Sequence, residues 1–226
     1  MQETLIQAAA LIVPLIFAIV FHEVAHGWVA RALGDPTAYE RRRLSLNPLR
    51  HVDPVGTIVL PGALALASLP VFGWAKPVPV NKRRLNNPRF GMMAVAAAGP
   101  FTNLALAGLA AVSLGLLPRT GGEGAVVEFV ALNLQNFILI NIFLALFNLL
   151  PIPPFDGSHI VEGVLPRRAA QAYGHLQRYG FALLFLLLLV VPYFWPQLGI
   201  VERFVLPPVS WAAEHYYVLA RAVAGY

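Results

Sequence analysis

Cysteine is absent from this 226-residue chain, and charged residues make up only 12% of it. The absence of cysteine excludes disulfides, thiolate metal ligands and a cysteine nucleophile. A soluble globular domain usually has about 25% charged residues. Because 58% of the residues are hydrophobic and several apolar runs approach about 20 residues, the composition predicts an integral membrane protein.

Four apolar runs are long enough to be predicted as transmembrane helices, and they cover residues 5–33, 88–117, 128–150 and 179–196. A fifth run, residues 57–72, is shorter and is interrupted by Pro61, Gly62 and Pro70. Broken backbone is costly when it is exposed to lipid, so this run predicts a re-entrant or kinked element buried against protein. Residues 197–226 mix aromatic and charged residues and predict an interfacial or amphipathic helix.

These elements predict an all-α polytopic membrane protein with four to six transmembrane helices and a re-entrant or short-strand insertion after the first helix. Residues 38–55 and 71–80 are rich in proline and asparagine and predict short strands or ordered loops at the cytoplasmic membrane surface. We expect a single membrane-embedded domain over residues 1–226, with its core at 5–165 and additional transmembrane and interfacial helices at 179–226.

The net charge of +5 comes from basic residues that flank the apolar runs. That pattern is typical of membrane topology and of contact with anionic lipid, and it argues against nucleic-acid binding. If residues 57–72 do not cross the membrane, 13 of the 16 lysines and arginines fall on one side. The positive-inside rule makes that side cytoplasmic and places the N-terminus outside. A single crossing by residues 57–72 would separate the two richest basic loops, whereas a tight double crossing also satisfies the charges.

The end of the first span reads FHEVAH, which matches the HExxH motif. His22 and His26 are four residues apart, so they project from one face of a helix within about 40° of each other and can bind the same ion. In this motif the histidines hold Zn²⁺ and the glutamate, here Glu23, acts as general base. The alternative is a helix that merely leaves the bilayer, but ionisable groups in an apolar helix are costly and usually functional.

A catalytic zinc needs a third protein ligand and an open position. Asp156 follows the proline-rich sequence PIPPF at the end of the third span, where the chain could turn back and direct a carboxylate into the membrane. At about 1.5 Å per residue, His22 and His26 lie about 26 to 32 Å along a helix that starts at Leu5. This depth is near the cytoplasmic side, where the topology also places Asp156.

HEVAH in the first span, AGPFTN in the second and NLLPIPPFDG at the end of the third together resemble the site-2 protease family of intramembrane zinc metalloproteases. The chain is most similar to the short bacterial members that lack PDZ and CBS domains. GDPTA, LSLNPLRHVDPVGT and FGWAKPVPVN are also similar to segments of that group, so the resemblance covers about residues 15–165. It implies one Zn²⁺ per chain, with His22, His26 and Asp156 as ligands and Glu23 as general base.

The resemblance also implies roles for two asparagines. Asn148 would orient or stabilise substrate, and Asn103 would hydrogen-bond the substrate backbone or the oxyanion. For both residues the alternative is a hydrogen bond between helices, a common use of buried asparagine in membranes. We expect His159 to support the site or the start of a helix rather than to bind metal, and no role is assigned to His51 or Asp53.

The family further implies that substrate enters as an extended strand. Residues 44–47 and 71–80 could offer an edge for that strand, or they could simply cap the site from the cytoplasm. We therefore predict a protease of the bacterial cytoplasmic membrane that cleaves transmembrane proteins or signal-peptide remnants in or near their spans. Its active site would face the cytoplasmic side.

Other classes of membrane protein fit the residues less well. Six histidines are too few for a di-iron oxygenase or desaturase, and Asp35 and Asp53 lie in the basic loop region, not in spans as an aspartyl intramembrane protease requires. The sequence DGSH does not match the GxSG of rhomboid-type serine proteases. The non-enzymatic alternative is a zinc-binding membrane protein or transporter on a protease-like core. The intact Glu23 argues against it, because metal binding alone needs only the other three residues.

Overall fold

The protein is a bundle of helices, seen here in a computed structural model that describes residues 2–67, 73–121, 124–199 and 201–225. In chain order the α-helices are α1 Gln2–Ala32, α2 Thr37–Glu40, α3 Leu60–Leu66, α4 Pro88–Leu116, α5 Ala125–Asn148, α6 Asp156–Val164, α7 Arg167–Gly174, α8 Gly180–Phe185, α9 Val191–Phe194 and α10 Leu206–Ala224. Within the described residues no β-strand is present.

Three of these helices are long and apolar enough to cross a membrane, namely Ile6–Ala32 of α1, α4 and α5. At about 1.5 Å per residue each exceeds the roughly 30 Å of a bilayer's hydrocarbon core. The first three predicted spans are therefore confirmed, as is the prediction of an all-α polytopic membrane protein.

The predicted fourth span, residues 179–196, is a shorter and interrupted helix. It is helical from Gly180 to Phe194, but a π-helical turn at Leu186–Val190 separates α8 from α9. Pro192 supplies no N–H to the preceding turn, which accounts for the wider winding there. At about 1.5 Å per residue this stretch is about 22 Å long, less than a full crossing requires.

α4 lies at the centre of the bundle, against α1, α5, α6 and α10. Its buried face is built largely from small residues, which let neighbouring helices approach closely; they include Gly91, Ala96, Gly99, Ala107, Ala111 and Gly115. The C-terminal helix α10, in the region predicted to be interfacial or amphipathic, packs along α4 and α5. The hydroxyl of Tyr216 donates a hydrogen bond to the carbonyl of Leu104, at 3.0 Å.

The two described ends of the insertion after the first span contact each other. A turn at Pro54–Val59 leads into α3. Further along the chain, Trp74 contacts this same turn, because its N–H donates to the carbonyl of Gly56 at 3.1 Å. The hydroxyl of Thr57 also donates to the carbonyl of Trp74. The described ends of this segment therefore lie side by side, as a re-entrant element requires, while residues 68–72 of the predicted element lie outside the described residues.

In the described parts of the regions predicted as short strands or ordered loops, the chain forms extended loops and no paired strands. Residues 44–47 and 73–80 form no ladder, because their backbone groups are committed elsewhere. Pro77 and Pro79 have no N–H to offer a neighbouring strand. The carbonyl of Lys76 accepts from the Arg43 guanidinium at 2.7 Å, and the Lys76 N–H donates to the carbonyl of His51. The prediction for residues 71 and 72 lies outside the described residues.

Candidate active site

The two histidines of the HExxH motif lie on the face of α1 that packs against α4. Their exposed fractions are 7% for His22 and 9% for His26, so both imidazoles are buried. The ring centroids are 4.7 Å apart. The helical spacing of four residues has therefore brought both rings to one point, as the sequence predicts.

Asp156 reaches the same point from the other side of the bundle. α5 ends at Asn148, the chain turns through Pro151, Pro153 and Pro154, and α6 begins at Asp156. Proline cannot continue the helix of α5, so the turn reverses the chain and directs the carboxylate inward. Its Oδ2 atom lies 3.1 Å from Nε2 of His22 and 3.4 Å from Nε2 of His26.

These three residues have the arrangement that a zinc ion requires. One ligand atom from each lies within 4.8 Å of the others. The edge of a tetrahedron with bonds of about 2.0 to 2.1 Å measures about 3.4 Å, close to both distances from Oδ2. This Oδ2 is buried, and no hydrogen-bond donor for it is found among the described residues. A buried carboxylate oxygen without a donor is costly unless a cation neutralises it, so the site fits a metal.

Gly99 of α4 provides the space that the two imidazoles occupy. A Cβ atom at this position would lie 2.5 Å from Cε1 of His22 and 2.6 Å from Cε1 of His26. Both distances are shorter than van der Waals contact, and two rings packed on one spot cannot move aside together. Glycine is therefore required here for the histidines to reach Asp156.

Asn103, one helical turn after Gly99, fixes the orientation of His22. Its Nδ2 donates to the carbonyl of Ala18 at 3.2 Å and to Oδ1 of Asn141 at 2.7 Å. The Oδ1 of Asn103 is therefore an acceptor, and it lies 2.5 Å from Nδ1 of His22. The proton of the neutral His22 ring is thus on Nδ1, which leaves the lone pair of Nε2 to face Asp156.

His26 is oriented in the same way by a backbone group. Its Nδ1 lies 2.7 Å from the carbonyl oxygen of Val95 on α4. A carbonyl only accepts, so Nδ1 carries the proton and Nε2 is free to bind a metal. Hydrogen bonds of this kind commonly set the tautomer of metal-binding histidines.

Asn103 therefore differs in placement from the role that the resemblance implies. The residue is 0% exposed, and its amide is engaged with α1 and α5. It matches the alternative of a hydrogen bond between helices, with the addition that one partner is His22 of the HExxH motif. The helical spacing of Gly99 and Asn103 in the sequence AGPFTN is the signal that both face α1.

Glu23 lies beside the histidines and contacts an extended loop. Its Oε2 accepts a hydrogen bond from the backbone N–H of Val78, at 2.7 Å. Gly27, one turn later on α1, lets this loop approach, because a Cβ there would lie 2.9 Å from Cγ1 of Val78. The sequence alone gave no indication of this contact.

The other candidate residues lie outside the group of three. Asn148 ends α5, where its Nδ2 donates to the carbonyl of Leu144. His159 on α6 has Nδ1 3.1 Å from Nε2 of Gln177. His51 has Nε2 2.7 Å from the carbonyl of Ser45, and Asp53 accepts from the N–H groups of Val55 and Gly56. His51 and Asp53 thus organise the insertion, and the supporting role of His159 stays a prediction.

Asp35 is a buried residue whose importance the sequence did not indicate. It is 0% exposed and accepts hydrogen bonds from the N–H and hydroxyl of Thr37 and from the N–H of Asn81, the last at 2.5 Å. Burial acts to raise its pKa, but these hydrogen bonds and the charge of Arg84 outweigh it and hold the pKa below its usual value. Asp35 thereby joins the end of α1 to the loop that contacts Glu23.

Comparisons with known proteins point to one kind of enzyme. The model of peptidase family M50 matches residues 122–190. A candidate zinc metalloprotease, YwhC of Bacillus subtilis, is 39% identical over 195 residues, which cover 84% of this chain and 85% of the relative. The candidate zinc metalloprotease Rip2 of Mycobacterium tuberculosis (strain H37Rv) is 32% identical over 177 residues, covering 74% and 61% of the two chains. No solved structure matches.

Proposed function

Because the chain belongs to peptidase family M50 and is an intramembrane zinc metalloprotease, we propose that His22, His26 and Asp156 hold its zinc ion and that Glu23 is its general base. The observation that carries the proposal is the convergence of two Nε2 lone pairs on a buried carboxylate oxygen for which the described residues provide no donor. Zinc in such a site lowers the pKa of water and polarises a peptide carbonyl.

Glu23 performs the proton transfers in this proposal. Peptide hydrolysis requires a base that removes a proton from the attacking water and an acid that returns it to the leaving amine. The carboxylate of Glu23 accepts that proton on one oxygen while Val78 N–H holds the other. It then donates the proton to the nitrogen as the C–N bond breaks, which restores the carboxylate for the next cycle.

Asn103 acts on His22 rather than on substrate in this scheme. By accepting from Nδ1, it keeps Nε2 in the protonation state and direction that a metal ligand needs. Asn148 keeps its proposed contact with substrate, because it lies at the end of α5 beside the turn that leads to Asp156.

The substrates in this proposal are single-span membrane proteins or signal-peptide remnants, cut near the cytoplasmic face. The active site lies toward the end of α1 that precedes the basic loops, and the positive-inside rule places those loops in the cytoplasm and the N-terminus outside. The peptide would enter in extended form, because helical backbone hides the scissile amide. Residues 73–80 are extended chain that contacts Glu23 through Val78, and they would line the path of the peptide rather than pair with it along an edge, because Pro77 and Pro79 have no N–H.

The experiment compares wild type with Glu23→Gln in the native membrane. Glutamine keeps the shape of the side chain but cannot accept the proton, so hydrolysis should stop while zinc stays bound. New protein N-termini are then catalogued by mass spectrometry under several growth conditions. N-termini that derive from membrane proteins and appear only with wild type would identify the substrate and support the base.

Identical catalogues would contradict the proposal, provided both proteins are folded and loaded with zinc. That outcome would mean that hydrolysis does not depend on Glu23, and another residue would have to act as the base. Zinc content is therefore measured in the same two membrane preparations, so that loss of metal is not mistaken for loss of the base.

A further inference from the structure

The contact between Val78 and Glu23 is produced by an unusual local sequence, Pro77-Val78-Pro79. Proline has no N–H, so Val78 carries the only backbone donor in this tripeptide. A residue that precedes proline is also restricted to extended backbone. The tripeptide therefore presents a single N–H from a stiff, extended chain, and that N–H is the one 2.7 Å from Oε2 of Glu23.

The loop is held in this position at both ends. On one side Lys76 N–H donates to the carbonyl of His51 at 2.8 Å. On the other side Asn81 N–H donates to Asp35, and Lys82 Nζ lies 2.8 Å from Oε1 of Glu162 on α6. The contacts of Asn81 and Lys82 connect the loop to the end of α1 and to the helix that begins with Asp156. The position of Val78 is thus fixed relative to both helices that carry the site.

The side chain of Val78 fills a notch on α1. Val78 is buried, and its Cγ1 lies where a Cβ on Gly27 would be crowded, at 2.9 Å. Gly27 is four residues after Glu23, so the notch and the carboxylate are neighbours on one helical face. Because position 27 has no side chain, both Val78 and Leu44, whose Cδ2 would lie 2.4 Å from such a Cβ, can pack on this part of α1.

We propose that the backbone amide of Val78 positions Glu23, by holding Oε2 so that Oε1 is the oxygen that takes and returns the proton. A glutamate side chain has several rotatable bonds, and a base works only when its carboxylate faces the reacting water. One fixed donor on one oxygen removes that freedom. The inference rests on the proposed role of Glu23 as the base, and Val78 is a positioning residue that need not touch substrate.

The first test detects the hydrogen bond from Val78 N–H to Glu23 without measuring proteolysis. Amide hydrogen exchange is followed in the full-length protein in detergent micelles for wild type, Glu23→Gln and Glu23→Ala. Glutamine still offers an acceptor oxygen, so the Val78 amide should exchange slowly in wild type and Glu23→Gln and at least about tenfold faster in Glu23→Ala. Equal rates in all three proteins would overturn the contact itself.

The second test separates the amide from the side chain. Val78→Pro removes the N–H but suits extended backbone, whereas Val78→Ala keeps the N–H and empties the notch. With the membrane-protein substrate found by its wild-type-dependent N-terminus, Val78→Pro should lower kcat by about 10- to 100-fold. KM and zinc content should stay within about twofold of wild type, and kcat should fall less in Val78→Ala, which keeps the N–H, than in Val78→Pro.

Two results would overturn the proposal. Equal losses of kcat in Val78→Pro and Val78→Ala would assign the effect to packing, and normal kcat in Val78→Pro would remove any need for the amide. If Val78→Pro does not fold, Gly27→Ala in a Leu44→Ala background replaces it. The second change removes the nearest side chain, Cδ2 of Leu44 at 2.4 Å, so that the added methyl presses on Cγ1 of Val78 while the N–H remains, and Leu44→Ala alone is the control. Gly27→Ala should then raise the Val78 exchange rate and lower kcat together. If Glu23 proves not to be the base, the exchange result still tests the contact between Val78 and Glu23 by itself.

Discussion

The Oδ1 atom of Asn103 lies 2.5 Å from Nδ1 of His22, and this contact links the second transmembrane helix to the metal site that we propose on the first. The direction of the bond is settled by the other bonds of the network. Asn141 donates to the carbonyl of Phe137, so its oxygen accepts from Asn103, and the oxygen of Asn103 in turn accepts from His22. Three helices thereby determine which nitrogen of one imidazole is free.

Replacing Asn103 should therefore change the affinity for zinc. Asn103→Leu has a similar volume but offers no acceptor to Nδ1 of His22, and we expect zinc affinity to fall by about 10- to 100-fold. Asn103→Asp keeps the acceptor and should retain zinc more tightly than Asn103→Leu. Competition with a chelator on the purified proteins measures both. Equal zinc affinity in Asn103→Leu and wild type would show that the contact does not act on the metal.

Gly99 and Gly108 both lie on α4, so alanine substitutions at the two positions provide a test and its matched control. Gly99→Ala places a methyl group 2.5 Å from the His22 ring, so we expect loss of zinc and a destabilisation of about 1–3 kcal/mol from overpacking. At Gly108 the nearest atom to a new Cβ is Cε1 of Tyr216 at 3.5 Å, an ordinary contact. Gly108→Ala should keep full zinc and gain up to about 1 kcal/mol in helix propensity. Zinc content and thermal unfolding report both effects.

The outcome that would contradict this reading is full zinc occupancy in Gly99→Ala. It would mean that α1 and α4 can separate enough to admit a methyl group without moving the histidines. A comparable zinc loss in Gly108→Ala would instead indicate that any added methyl on α4 disturbs the bundle.

Removing Asp156 should release zinc. Two histidines alone do not complete a three-ligand site, so Asp156→Ala should contain little zinc after purification. Glu162→Ala is the control, because its carboxylate is on the same helix but binds Lys82 and Gln177. That variant should retain zinc. Stoichiometric zinc in Asp156→Ala, measured by atomic absorption, would exclude Asp156 as a ligand.

The sequence singled out the three residues that the structure brings together, His22, His26 and Asp156, because their chemistry is visible without a partner. Two histidines at helical spacing in an apolar span are informative by themselves, and Asp156 is distinguished by the prolines before it. Asn103 is different, because an amide can bond to substrate, to another helix or to a ligand with equal ease. Its geometry depends on where α1, α4 and α5 meet, which no local pattern encodes.

The cytoplasmic insertion was the least predictable part of the fold. Its residues predicted short strands or ordered loops, and strand pairing depends on which backbone donors are free. Here the N–H groups of Val78 and Asn81 donate to side chains on α1 and in the loop after it. Those of Trp74 and Lys76 donate to backbone carbonyls within the insertion. Asp35 was set aside as a loop residue, although Asp and Thr two residues apart in GDPTA are typical of a side-chain capped turn. That Asn81 would complete this turn across 46 residues could not be predicted.

The pKa of Asp35 predicts how the stability of this insertion varies with pH. Because the folded pKa is held below the usual value of about 3.9, the ionised carboxylate stabilises the folded protein above that pH. This contribution is lost as pH falls through the folded pKa. We expect Asp35→Asn to unfold more easily than wild type at neutral pH, by about 1–3 kcal/mol.

The test follows the difference between the two proteins rather than either alone. The gap in thermal midpoint between wild type and Asp35→Asn should be constant above about pH 5 and should shrink as the pH falls below about 4. Loss of zinc at low pH affects both proteins and cancels in the difference. A gap that grows on acidification would mean that the carboxylate is not ionised in the folded state.

The orientation of the bundle can be measured directly, because the chain contains no cysteine and any introduced thiol is unique. Arg83 is exposed on the turn Lys82–Arg84, among the basic residues that we place in the cytoplasm, and Glu128 is exposed near the start of α5. Arg83→Cys should react with a membrane-impermeant maleimide only after spheroplasts are opened. Glu128→Cys should react in intact spheroplasts, because α4 separates it from residue 83 by one crossing. The reverse pattern would place the zinc site near the outer face, and the substrates would then be cut on that side.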